Sequence, residues 1–230
     1  MADDHSHHHR SLQGGGARAA VFGISDGLVS NVALILGVAG AHSSATTVRL
    51  AGLAGLVGGA FSMAAGEYVS MRAQTELMQR ELRVERDALH RQPEGERREL
   101  TAIYERRGLE RELASELATE MMRDPETALE THAREELGIN PNQLGSPWQA
   151  AGSSFVMFAL GAFLPLVPWL IASGTAAIWA SVIVAGISSL VVGAALSYFT
   201  GKSWLWSACR QLLIAGAAAG VTFTIGRIIG

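Results

Sequence analysis

Five long apolar runs and one densely charged stretch alternate along the chain. Residues 19–41, 50–71, 151–172, 176–199 and 204–229 each supply the roughly 20 consecutive apolar positions that a helix needs to cross a bilayer. Between the second and third runs, residues 72–137 carry charge at most turns, with Leu77, Leu82 and Leu89 as a sparse apolar stripe. No loop separates the second run from this stretch, so the second span is expected to continue out of the bilayer as one helix. Gln92-Pro93-Glu94-Gly95 interrupts it, because proline lacks the amide that an interior turn donates. A second helix is predicted from 94 to 107, ending at Gly108, and a third from 109 to 123. Asp124 then reads as an N-cap with Pro125 in the first turn of a fourth helix, which ends at Leu137-Gly138 with Pro141 beyond. The pattern predicts an all-α membrane protein: five transmembrane helices with a helical-bundle insert between spans two and three.

Composition sharpens that picture by subtraction. The chain has 230 residues, 49% of them hydrophobic, and 21 acidic residues. Seventeen of the acids and 12 arginines fall within 72–137. Of the four remaining acids, Asp3 and Asp4 lie in the N-terminal tail, which leaves Asp26 and Glu67 as the carboxylates of the membrane part. The net charge of -3 averages neutral spans with a polyelectrolyte and gives no reason to expect a nucleic-acid partner. The single cysteine, Cys209, has no disulfide partner in the chain and reads as packing. Residues 1–18 have no apolar core before their glycine run, so they are expected to be a disordered tail rather than a cleaved signal peptide. His5, His7, His8 and His9 in that tail offer weak metal capture, beside the alternatives of an affinity tag or a solvated segment. The remaining boundaries follow: spans one and two in 19–71, the insert in 72–137, a linker in 138–147 and spans three to five in 148–230.

The flanking charges set the orientation. Arg10, Arg18, the insert's arginines, Lys202 and Arg210 fall on one side of the membrane, and only Arg49 and Arg227 on the other. The positive-inside rule therefore places the N-terminus and the insert in the cytoplasm and the C-terminus outside.

A carboxylate within a span costs several kcal/mol unless it is paired, protonated or facing water, which marks Asp26 and Glu67 as functional candidates. Met63, Glu67 and Met71 repeat at four-residue steps, stacking thioethers and a carboxylate along one helical face. That donor set suits a borderline divalent cation such as Fe2+ better than Mg2+. Ser25, Gly27, Ser30 and Asn31 surround Asp26 in sequence and offer further polar atoms. Metal entry at apposed acids would displace protons, a physical route to metal/proton exchange. In the insert, spacing alone selects no site: Glu112, Glu116 and Glu120 read as a solvated face, while Glu96 with Glu99 and His132 with Glu136 share helical faces at ligand spacing. The spans hold no histidine and no nucleophile and base pair, so an enzyme is not expected and no residue is assigned as catalytic.

The residues also carry a resemblance. DGLVSN in the first span, GAFSMAAGEYVS in the second, an acidic insert ending HAREELGI and three further apolar spans together resemble the vacuolar iron transporter family, in particular its bacterial branch. The resemblance implies a homodimer in the cytoplasmic (inner) membrane, with no catalytic cofactor, that exports Fe2+ from the cytoplasm in exchange for protons. Mn2+, Co2+ and Zn2+ are chemically admissible alternatives. It assigns the ion path to Asp26 and Met63, and metal collection by the insert to Glu85, Glu96 and Glu99; Glu67 and Asn31 join the path as candidates on their own chemistry and position, not by the resemblance. Ala88 departs from the family's paired ExxE pattern, which brings in Glu81. His132, Ala133 and Glu136 fall on the family's MMxxE, with Met121 and Met122 as displaced thioethers. Gly55 stands where plant-type members place a Glu, and Glu67 where they place a Gly. A membrane-anchored metal sensor or storage protein without transport is the alternative.

Overall fold

The computed structural model describes residues 15–230, so the histidines of the N-terminal tail lie outside the described residues. Eight α-helices follow in order: α1 Gly15–Gly40, α2 Ala45–Arg91, α3 Pro93–Arg106, α4 Arg111–Met121, α5 Pro125–Glu135, α6 Pro147–Ile171, α7 Gly174–Thr200 and α8 Trp204–Ile229. There is no strand among the described residues. Five of these helices, α1, α2, α6, α7 and α8, are long and apolar enough to cross a membrane.

The chain divides into two compact units. One is Met71–Gly145; the other takes the chain up to Ser70 together with Ser146–Gly230. Helix α2, at 47 residues, carries the apolar run into the charged stretch without a break. It stops at Arg91, and α3 restarts with Pro93 in its first turn. Helix α4 is shorter than the predicted 109–123, because Gly108 adopts φ +98° and Glu110 is still extended. Asp124 caps α5, its carboxylate accepting from the Thr127 amide at 2.8 Å. Helices α3 and α4 pack through Leu100, Tyr104, Ala114 and Ala118, a small core appropriate to short amphipathic helices.

In the other unit α1 is the central helix, in contact with α6, α7 and α8. Glycine makes the closest approach possible: a Cβ at Gly27 would stand 2.2 Å from the Phe158 carbonyl oxygen, and one at Gly161 2.2 Å from that of Ile24. Backbones of α1 and α6 thus touch, the small-residue packing that association in lipid favours. Leu28, Val32, Ile35 and Leu36 fill the remaining surface of α1. Arg49 closes the end of α6, donating from Nε to Trp169 O at 2.5 Å and from Nη2 to Ala172 O at 3.3 Å.

The apolar half of α2 is different. Gly52, Gly55 and Gly59 face the other helices, Gly59 lying against the Phe158 ring. Beside them Ala54, Gly58, Ser62, Gly66 and Ser70 form an exposed stripe at four-residue steps, flanked by exposed Leu50, Val57 and Phe61.

Candidate metal centre and intramembrane cavity

Glu85 of α2, Glu96 of α3, and His132 and Glu136 of α5 converge within the 71–145 unit. One ligand atom from each lies within 4.8 Å of all the others. His132 Nδ1 stands 3.2 Å from Glu85 Oε1, 3.7 Å from Glu136 Oε2 and 3.9 Å from Glu96 Oε2. His132 is fully buried and Glu85 nearly so, yet both imidazole nitrogens and Glu85 Oε1 are buried without a hydrogen bond among the described residues.

Convergence on His132 sets these carboxylates apart from the insert's other acids, which either face an arginine or, like Asp87, Glu99, Glu110, Glu112, Glu116 and Glu126, are exposed. Glu76, Glu81, Glu94, Glu105, Glu120, Glu130 and Glu135 each face an arginine. Among the described residues no arginine or lysine pairs with Glu85, Glu96, Glu99 or Glu136. Burial, with the charges of Glu136, Glu96 and Glu99, pushes the Glu85 carboxyl up to about 7. Burial also raises Glu96, against the pull of His132, and raises Glu136 with help from Glu99. Burial pushes the His132 imidazole down, opposed by Glu96 and Glu99, so the ring favours the neutral form that offers a lone pair. Three carboxylates and one neutral imidazole at this separation form a donor set for a borderline divalent cation.

The other insert candidates fall elsewhere. Glu99 is exposed and acts on the group through its charge. Glu81 lies outside the four-residue group and faces Arg80 at 2.8 Å. Met121 packs against the α3/α4 core, and Met122 is the half-buried C-cap residue of α4.

In the membrane unit, Asp26, Ser30, Asn31 and Leu34 of α1, Gly55, Gly59, Ser62 and Met63 of α2, and Phe158 of α6 line one cavity of about 320 Å³. Asp26 and Ser30 lie on the exposed face of α1. Asn31 is buried, its Nδ2 donating to Ala162 O at 2.6 Å while Oδ1 has no partner. Glu67 is not among the cavity's lining residues; its Oε2 stands 3.6 Å from Arg18 Nη2. Along the sequence Arg18 is only a topological charge, and nothing there singles out Ser62 or Phe158, which reach the cavity through helix packing.

The VIT family profile matches residues 17–227, which includes both groups of polar residues. The chain belongs to the VIT family. Vacuolar iron transporter 1 of Arabidopsis thaliana is 30% identical over 230 residues, spanning all of this chain and 92% of the relative. The vacuolar iron transporter of Acanthamoeba castellanii is 35% identical over 224 residues, spanning 95% of this chain and 80% of the relative. That of Toxoplasma gondii is 28% identical over 239 residues. These relatives come from a plant, an amoeba and an apicomplexan parasite. The similarity runs through spans and insert alike, so membership rests on the whole arrangement rather than on a single motif.

Proposed function

We propose that this VIT family member is a homodimeric, proton-coupled transporter that exports Fe2+ from the cytoplasm, and not an enzyme. The observation that carries the reading is the membrane cavity lined by Asp26, Asn31 and Met63. A carboxylate in hydrocarbon needs a counter-charge, which a proton and a metal ion supply in turn; alternation between the two is metal/proton exchange. The relatives' names, vacuolar iron transporter, support iron as the cargo. Carboxylate and thioether donors agree with Fe2+, and Mn2+, Co2+ and Zn2+ share enough of that chemistry to compete.

Exposure supports the dimer. Asp26 and Ser30 on α1 and the Ala54 to Ser70 stripe on α2 are uncovered in a single chain. A carboxylate facing lipid is costly, and a small-residue stripe is the surface along which helices approach. A two-fold axis beside these faces would cover both and bring two copies of Asp26 and Met63 to one path. The insert then acts as a cytosolic collector through Glu85, Glu96, His132 and Glu136, with Glu99 steering by charge. The arginine distribution supports a cytoplasmic N-terminus and insert and an outward C-terminus in an inner membrane of a bacterial member.

The test is metal flux in vesicles reconstituted with the full chain. Fe2+ movement accompanied by opposite proton movement is the expected result. Metal binding without movement would instead favour a membrane-anchored sensor or storage protein.

A further inference from the structure

The surroundings dictate the orientation of the Asn31 amide in the cavity lining. Asn31 is 2% exposed. The Ala162 carbonyl, 2.6 Å from Nδ2, can only accept a hydrogen bond, so the amide must present its nitrogen to α6 and its oxygen to the other side. That oxygen is buried and has no partner, and the residue lines the cavity with Asp26 and Met63. A buried amide oxygen left unsatisfied costs about 1–3 kcal/mol, so the position calls for a partner that arrives. Gly55 of α2 makes the arrangement possible. A Cβ there would lie 2.7 Å from Asn31 Oδ1 and 2.5 Å from Leu34 Cδ2, both well inside contact distance.

We infer that Asn31 Oδ1 is a fixed, neutral ligand for the passing divalent cation, locked by the Ala162 carbonyl, and that Gly55 is the residue that keeps this oxygen in place. This deepens and rests on the transport reading. The amide replaces one water of the ion's hydration shell without adding a second negative charge at this depth. Asp26 then remains the single carboxylate of the subunit's cavity lining, and the oxygen favours ions that accept hard donors beside the Met63 sulfur.

The experiment is Fe2+ flux in vesicles containing the full chain, compared across Asn31→Leu, Asn31→Asp and Gly55→Ala. Asn31→Leu keeps the volume and removes the oxygen; KM for Fe2+ is expected to rise at least about 10-fold, the equivalent of one lost ion–dipole contact. Asn31→Asp in its protonated form, assayed beside the parent at the same acidic pH, donates from its O–H to the Ala162 carbonyl and keeps a neutral oxygen on the other side, and is expected to stay within about 3-fold of the parent. Gly55→Ala, which leaves Asn31 itself unaltered, is expected to raise KM several-fold. If Asn31→Leu transports with the parental KM, the ligand assignment is overturned while the transport reading stands. If Asn31→Asp is as impaired as Asn31→Leu, Asn31 is a helix tie and the assignment again fails. Should Asn31→Leu not be recovered folded, a parental KM for Gly55→Ala overturns the assignment by itself. A parent chain that moves no metal overturns the transport reading and this inference with it.

Discussion

The two candidate sites reach metal chemistry by opposite routes. In the 71–145 unit charge is abundant, and the group of interest is distinguished by convergence: Glu85, Glu96 and Glu136 meet at His132 with no cation beside them, while the other acids face an arginine or are exposed. In the membrane unit charge is scarce, and Asp26 is informative simply by being there. The insert gathers three carboxylates around one neutral imidazole, a donor set suited to holding an ion. The cavity lining offers one carboxylate, one carboxamide and a thioether, a less charged set. On the proposed reading, capture and passage are separated by ligand charge.

The strongest way to break this comparison is Asp26→Ala. Flux in vesicles should fall by about two orders of magnitude, since no other cavity residue supplies the counter-charge. Fe2+ binding by the full chain in detergent, dominated by the insert, should change little; a parallel loss of both would merge the two sites into one. Next in size is Glu85→Gln, expected to weaken Fe2+ binding by at least about 10-fold, a loss that even outer-shell changes at metal sites produce. Flux at saturating Fe2+ should persist, and its disappearance would make the insert part of the path. Isothermal titration and stopped-flow flux check the two halves of that statement.

Protonation sharpens the comparison further. The folded insert raises Glu85 from 4.5 to about 7, so without metal it binds a proton more readily than the unfolded chain does. The stability of the metal-free protein should therefore increase as pH falls through about 7 toward 4.5. With Fe2+ bound the order inverts, because the metal takes the deprotonated carboxylate. Thermal unfolding of the full chain at about pH 5.5 and pH 7.5, with and without Fe2+, reads this crossover; parallel pH profiles would remove Glu85 from the metal group. The smallest effect is expected from Asp124→Ala. Hydrogen bonds from Thr127 hold the Asp124 carboxyl below its usual value, so its contribution is present at neutral pH and lost on acidification. Its removal should lower the melting temperature slightly and leave metal stoichiometry intact, whereas lost stoichiometry would show that the start of α5 positions His132.

Much of the fold was legible because each element carried its own local signal. The five apolar runs announced five spans by length alone, Pro93 ended α2, and Asp124-Pro125 marked the start of α5. The sites were legible only in part. Glu85, Glu96, His132 and Glu136 were all candidates, but so were Glu81, Glu99, Met121 and Met122. In an acidic helix the spacing of ligands and of solvated charges is the same. What separated them was which side chains converge on the buried His132, and that is a relation between helices.

The sequence by itself determined the segregation of charge, and with it the all-α membrane architecture and the isolation of Asp26 and Glu67. Hydrophobic length and proline chemistry act along the chain and need no partner. Tertiary structure alone decided that Glu67 meets Arg18 and that Asn31 gives its amide nitrogen to Ala162 O, leaving its oxygen buried without a partner. It also decided that Glu85, Glu96, His132 and Glu136 share one point in space. Those outcomes depend on contacts across as many as 131 positions of sequence, from Asn31 to Ala162, where the approach of α1 to α6 at Gly27 and Gly161 sets the distance.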